Sequence, residues 1–227
     1  MKSLFRNGLQ KRAVMELGIL SLLTILYFNL LPNRTTKIDM LFALVGLCFV
    51  LITARETWRK FWDKPVLPFG ERLKQSTAIV GLITFAAIFA FAVISGWLSY
   101  HESGKANKVF ARLANPDILK VLPFYIAWAF LQQFLFQFYL LSRIRALLPA
   151  MPNIVLSALN GILFSMVHVP EWWVVLATIP AGILWSYLYL KYRCLIPITV
   201  SHAVLGAAFF YWILNKNMFE SLFSLLK

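Results

Sequence analysis

From Gln75 to Tyr100 the chain carries no charged residue. At about 1.5 Å of rise per residue, a helix of that length crosses the roughly 30 Å hydrocarbon core of a bilayer. Further charge-free stretches occupy 17–33, 121–142, 146–170, 172–190 and 194–215, with a shorter one at 40–54. The 227 residues are 60% hydrophobic and 14% charged, and the mean hydropathy is +0.73. A soluble core of this size cannot hide so much apolar surface, so the expected class is an integral membrane protein. In lipid each backbone amide must be bonded internally, and the alternating polarity of a barrel is missing. The expected fold is therefore all-α, a polytopic transmembrane bundle of about seven spans at 13–31, 38–54, 77–100, 119–142, 153–169, 172–190 and 194–214.

The formal charge of +13 does not indicate nucleic acid. Lys and Arg lie between the apolar runs rather than on one face or domain. With the N-terminus inside, residues 1–12, 55–76, 143–145 and 191–193 hold fourteen of the 22 basic residues, and eight fall outside. That excess predicts N-terminus in and C-terminus out. In the connector 55–76, Trp58, Phe61 and Trp62 alternate with Arg55, Arg59, Lys60 and Lys64, as expected of an interfacial anchor in contact with membrane lipid. Cys48 and Cys194 make no disulfide framework and read as small packing residues. The basic N-terminus lacks a small-x-small cleavage site and reads as an uncleaved first span. Asn33-Arg34-Thr35 matches a glycosylation sequon hard against the end of that span, and reads as chance. The organisation expected is an N-terminal membrane region over 1–118, a four-helix core over 119–214 and a short tail over 215–227.

Polar groups inside three spans stand out against this background. Gln132, Gln133 and Gln137 interrupt the fourth; Gln133 and Gln137, four apart, share an α-helical face. On the fifth, Asn160, Phe164 and His168 recur at four-residue spacing and form one stripe. On the seventh, Thr199, His202 and Gly206 share a face. Polar side chains in lipid are costly and tend to face a bundle interior or cavity. From the residues alone, interhelical hydrogen bonding and a functional site are both open readings.

The order and spacing of these residues resemble the CPBP family, the CAAX protease and bacteriocin-processing group also called Abi. Its motifs are EExxxR, FxxxH and HxxxN or HxxxD, in this order on separate spans. Here the first reads Gln132-Gln133-x-x-x-Gln137. The second, Phe164-x-x-x-His168, is intact. The third, His202-x-x-x-Gly206, keeps only its histidine. The resemblance covers roughly 119–214. It implies an intramembrane metalloendopeptidase with Gln132, Gln133, Gln137, His168 and His202 at the catalytic positions. Asn160, Phe164 and Gly206 would line the substrate site, and His168, His202 and Glu171 are the candidate ligands for zinc. It also implies a prokaryotic cytoplasmic membrane.

The amides change the chemistry. General base catalysis needs a group that takes a proton near neutral pH, and a glutamine amide cannot. Zinc prefers His, Cys and carboxylate, so two histidines leave its ligand set incomplete. Among the nine acidic residues, Glu171 follows His168 by three positions, and Glu16 lies in the first span with nothing in the sequence to aim it. The expected function is a protease-like cavity that binds a peptide or lipidated protein tail with reduced, altered or no proteolysis, that is, a pseudoprotease. The alternative is an active CAAX-type metalloendopeptidase using His168 and His202. A transporter lacks support, because no charged pathway or broken-helix pair is visible.

Overall fold

A computed structural model describes residues 2–30, 36–61, 67–169 and 171–216. The sequon at 33–35, Trp62 and Lys64 of the connector, Pro170 and the tail beyond 216 lie outside the described residues, as do the side chains of Trp58 and Lys60. Every regular element described is helical: α1 Lys2–Leu30, α2 Thr36–Ala54, α3 Thr57–Lys60, α4 Phe69–Ser103, α5 Ala106–Leu113 and α6 Asp117–Gln133. A π-helical run, π1 (Phe134–Leu140), then leads into α7 Leu141–Leu147, α8 Asn153–Met166, α9 Trp172–Tyr192 and α10 Leu195–Ala208, which ends in π2 (Phe209–Ile213). Among the described residues four helical runs are long and apolar enough to cross a membrane: Phe69–Ser103, Ala106–Leu147, Trp172–Tyr192 and Leu195–Ile213. Leu44–Ala54 and Asn153–Met166 are shorter apolar helices. The chain is an all-α integral membrane protein.

Two of the span boundaries that differ from expectation have local reasons. The third span begins at Phe69, eight residues before the expected 77, so the end of the supposed connector is helix. Pro68 precedes its first turn, and Glu71 in that turn complements the helix dipole. At the far end Gly104 closes α4 in the left-handed conformation (φ 64°), which glycine adopts at low cost. The fifth span stops at Met166 rather than 169. The residues after it form a turn in which the His168 N–H donates to the Ser165 carbonyl at 3.0 Å, and the sequence proline at 170 cannot continue a helix.

The residues fall into two compact units: 1–66 with 134–191, and 67–133 with 192–227. In the first unit, α8 and α9 cross at small residues. A Cβ on Gly161 would lie 2.5 Å from the Ile183 nitrogen, and one on Gly182 3.0 Å from the Gly161 Cα. Such close backbone approach is how helices associate in lipid, where apolar side chains gain little over the solvent. Val50, Ala54 and Tyr139 form a core against which Leu20, Phe49 and Phe138 pack. In the second unit, Val121, Ala207 and Tyr211 make the corresponding core with Leu122, Tyr125 and Trp212 around it. The Thr84 hydroxyl lies 2.8 Å from that of Ser201, and Arg72 donates to the carbonyls of Tyr192 (3.2 Å) and Arg193 (2.8 Å).

The largest departure from the sequence reading is Arg143. Counted as an orienting charge beyond the fourth span, it has no exposed surface. In the first unit its Nη2 and Nε reach Glu16 Oε2 at 2.6 and 2.8 Å, and its Nη1 donates to the Thr57 hydroxyl at 2.6 Å. The Tyr139 hydroxyl donates to the same carboxylate oxygen at 2.9 Å, and Arg12 Nε holds Oε1 at 2.6 Å. Arg12 in turn pairs with Glu56. The guanidinium also stacks on the Tyr139 and Phe61 rings, 3.7 and 4.2 Å from their centroids.

Candidate functional site

In the second unit, α6 delivers Gln133 and α10 delivers His202. Both are buried, at 0% and 4% exposure. Gln133 Nε2 lies 3.2 Å from His202 Nδ1. An amide can give a proton to that nitrogen or, turned over, accept one from it. Either way one nitrogen of the imidazole is committed to an uncharged partner. The Tyr125 ring stands edge-on to His202, centroids 6.1 Å apart. The same ring explains Gly206. A Cβ at 206 would run into the Tyr125 hydroxyl and ring. The side chain that motif three carries at this position is absent here, and a tyrosine from α6 fills the space.

In the first unit, α8 carries Asn160 and Phe164, both fully buried. Asn160 Nδ2 donates to Gln137 Oε1 at 3.0 Å and to the Ser186 hydroxyl at 2.9 Å. Ser186 in turn donates to the Gly182 carbonyl at 2.6 Å. Phe164 is boxed by edge-to-face rings: Phe136 at 5.1 Å, Trp185 at 5.8 Å and His168 at 5.7 Å. The expected stripe therefore holds through Phe164. His168 sits on the capping turn, half-buried, with its ring against Phe164. Glu171, exposed, opens the next helix: its N–H donates to the His168 carbonyl at 2.8 Å and its carbonyl accepts from Val174 and Val175.

The π-helical run starts immediately after Gln133. Each π hydrogen bond closes a ring one residue longer than in an α-helix, so four-residue spacing no longer stacks Gln133 and Gln137 on one face. Instead of the expected shared face, the two amides have separate partners, His202 for Gln133 and Asn160 for Gln137. Gln132 is half-buried. Wide turns of this kind recur at functional sites, and a second one, π2, begins three residues beyond Gly206.

Several buried polar atoms at these residues have no hydrogen-bond partner. In the second unit they are Gln133 Oε1 and Thr199 Oγ1; in the first, Gln137 Nε2, Asn160 Oδ1 and His168 Nε2. An orphaned buried donor or acceptor costs about 1–3 kcal/mol. Five of them, three on motif residues and two on Asn160 and Thr199 beside them in sequence, mark positions that ordered water or a polar ligand group would satisfy. Beside α6 and α10 runs a groove of about 570 Å³, walled by Pro123, Ile126, Phe130, Leu131, Ile196 and Val200, with Thr199 its one polar side chain.

Among the described residues no three of His, Cys, Asp and Glu gather in a way that would hold a metal ion. Glu16, the buried carboxylate, has both oxygens engaged by Arg143, Tyr139 and Arg12.

Sequence reasoning missed Tyr125, Ser186 and the role of Glu16. Ser186 had a signal: Ser157-x-x-x-Gly161 and Gly182-x-x-x-Ser186 are both small-xxx-small patterns, the mark of closely packed membrane helices. Glu16 had a partial one, Arg12 four residues before it on the same helix face, whereas Tyr125 had none, because His202 lies 77 positions away.

Residues 114–208 match the family described as Rce1-like, type II CAAX prenyl endopeptidase. No curated protein and no solved structure matches the chain. The matched segment includes Gln132 through Gln137, Asn160, His168, His202 and Gly206, the residues on which the motif resemblance rested. Over residues 114–208, less than half of its length, this integral membrane protein is similar to the Rce1-like type II CAAX prenyl endopeptidases.

Proposed function

We propose that this CAAX-protease-like protein binds a peptide or a lipidated protein tail in the plane of the membrane without hydrolysing it by the usual carboxylate chemistry. One observation carries the reading: His202 is paired with the amide of Gln133 rather than with a carboxylate. A glutamate there would take a proton from water and stabilise a charged imidazole partner. An amide does neither, so Gln133 orients and bonds but does not act as a base. Within each unit the orphaned atoms, Gln133 Oε1 in the second and Gln137 Nε2 and Asn160 Oδ1 in the first, are suited to a peptide backbone, which offers both donors and acceptors. The groove along α6 and α10 is suited to an apolar chain, since burying each CH₂ contributes about 0.8 kcal/mol. Membrane lipid is the competing occupant of that groove.

The test uses purified full-length protein and a fluorogenic prenylated peptide. The expected result is saturable binding with no cleavage, and binding weakened by Asn160→Ala. Cleavage that disappears in His202→Ala would sink the proposal and favour a working endopeptidase. So would stoichiometric zinc lost in His168→Ala. Restoring the family residues sharpens the case. Gln132→Glu, Gln133→Glu, Gln137→Arg and Gly206→Asn are introduced together with Tyr125→Ala, because Tyr125 occupies the space an asparagine at 206 needs. Proteolysis gained by that variant alone is the expected outcome.

A further inference from the structure

A second candidate site lies in the second unit, among residues outside the motifs. Ser99 and Glu102 at the end of α4, Lys108 and Arg112 on α5, Asn115 and Asn215 line a cleft of about 310 Å³. A smaller cavity of about 70 Å³ shares Arg112, Asn115 and Asn215 and adds Tyr211 and Lys216. Arg112 is the centre of both. Its side chain is 8% exposed, and its Nη2 donates to the Ile213 carbonyl at 2.9 Å. Its Nη1 lies 3.3 Å from both the Ser99 hydroxyl and Glu102 Oε2, while its buried Nε has no acceptor. Two cations, Lys108 and Arg112, line the larger cleft against one carboxylate (Glu102, 63% exposed), a balance of 2 − 1 = +1. Asn115 is anchored by accepting the Asp117 N–H at 2.9 Å on its Oδ1, so its amide NH₂ remains a donor.

The position of the cleft points to its ligand. At about 1.5 Å per residue, the 35 residues of α4 span about 52 Å, more than the hydrocarbon core and its headgroup layers together. The charge-free run ends at Tyr100, and Trp97 and Tyr100 are 65% and 60% exposed, as in an aromatic belt. Ser99 to Ser103 therefore stand at headgroup level. Beside them the eight-residue α5 presents Phe110, 71% exposed, in the manner of an interfacial helix.

We propose that this cleft binds a phosphate group, and that its source is the headgroup of an anionic phospholipid. The guanidinium supplies a planar set of charge-assisted donors, Lys108 adds a point charge, and the asparagines supply neutral donors. Glu102 holds one edge of Arg112 and leaves the Nε edge for the ligand. This inference does not depend on whether the motif residues cleave, bind or do neither.

The experiment is native mass spectrometry of the full-length detergent-solubilised protein with phosphatidylglycerol, with phosphatidylcholine of the same acyl chains, and with inorganic phosphate. Phosphatidylglycerol is expected to be retained about tenfold more tightly than phosphatidylcholine. Lys108→Glu, at an exposed position, should weaken that retention roughly tenfold at an unchanged melting temperature. Arg112→Lys should weaken it as well, because the fork is lost and the charge is kept. Lys74→Glu, far along α4, is the control and should retain the lipid. Equal retention of the two lipids, or equal loss in Lys74→Glu and Lys108→Glu, overturns the proposal. Inorganic phosphate that displaces the lipid at matched concentration supports the phosphate site and overturns its membrane source.

Discussion

Two buried polar networks lie in the same unit and are built in opposite ways. Around Glu16 and Arg143, both carboxylate oxygens and every guanidinium nitrogen have partners at 2.6–2.9 Å. Around Gln137, Asn160 and Ser186 no charge is present, and Gln137 Nε2 and Asn160 Oδ1 are left without partners. A buried ion pair is stabilising only when geometry and additional hydrogen bonds offset its desolvation, and the first network meets that condition. It ties α1 to α7 and has no capacity left for a ligand. The second keeps unused hydrogen-bonding groups in a buried place, as a binding site does before its ligand arrives. The lesson is that a buried acid in a protease-like membrane protein is not by itself a catalytic acid. Satisfied charge reads as a lock, and unsatisfied neutral polarity reads as a site.

The largest expected effect comes from breaking the lock. Arg143→Ala leaves Glu16 charged and buried, and should destabilise the protein by about 3–5 kcal/mol in a denaturant titration in detergent. Replacing both partners, Glu16→Leu with Arg143→Met, should recover most of that loss. A single variant within about 1 kcal/mol of wild type would remove the contrast between the two networks.

Next in size is Gly161→Val, which forces a side chain into the backbone of α9 where Ile183 N lies 2.5 Å from a built Cβ. Overpacking of this kind costs about 1–3 kcal/mol. Since the same crossing brings Ser186 to Asn160, ligand binding should fall with stability, as read by thermal melting with and without peptide. A change in stability without any change in binding would separate the crossing from the site.

Asn160→Ala should cost less, roughly 0.6–2 kcal/mol, because the amide network is only partly satisfied. Its signature is a disproportionate loss of stabilisation by peptide, measured as a smaller melting shift at fixed ligand. Smallest is Gln132→Ala. The half-buried Gln132 takes part in neither network, and its substitution should stay within about 0.5 kcal/mol. A larger shift in the same denaturant titration would assign Gln132 to the site.

Much of the fold was legible because lipid imposes one strong rule: long apolar runs become helices. The motif residues were legible too, since a glutamine or histidine in such a run has few inexpensive places to go. The boundaries at Phe69 and Met166 were less so, because helix ends depend on caps that a hydropathy pattern does not register. Arg143 was misplaced outright. At the edge of a span, an orienting charge and a buried one look identical until the partner is known.

The sequence by itself determined an all-α membrane protein, the resemblance to the CAAX protease family, and the exchange of acids for amides. Only the tertiary structure decided that Gln133 meets His202, that Gln137 meets Asn160, that Tyr125 fills the place beside Gly206, and that Glu16 is spent on Arg143. Hydrophobicity and residue type are local properties written into the chain, whereas a hydrogen bond or an ion pair needs two groups brought together. Glu16 and Arg143 are separated by 127 positions, and no pattern of spacing records such a meeting.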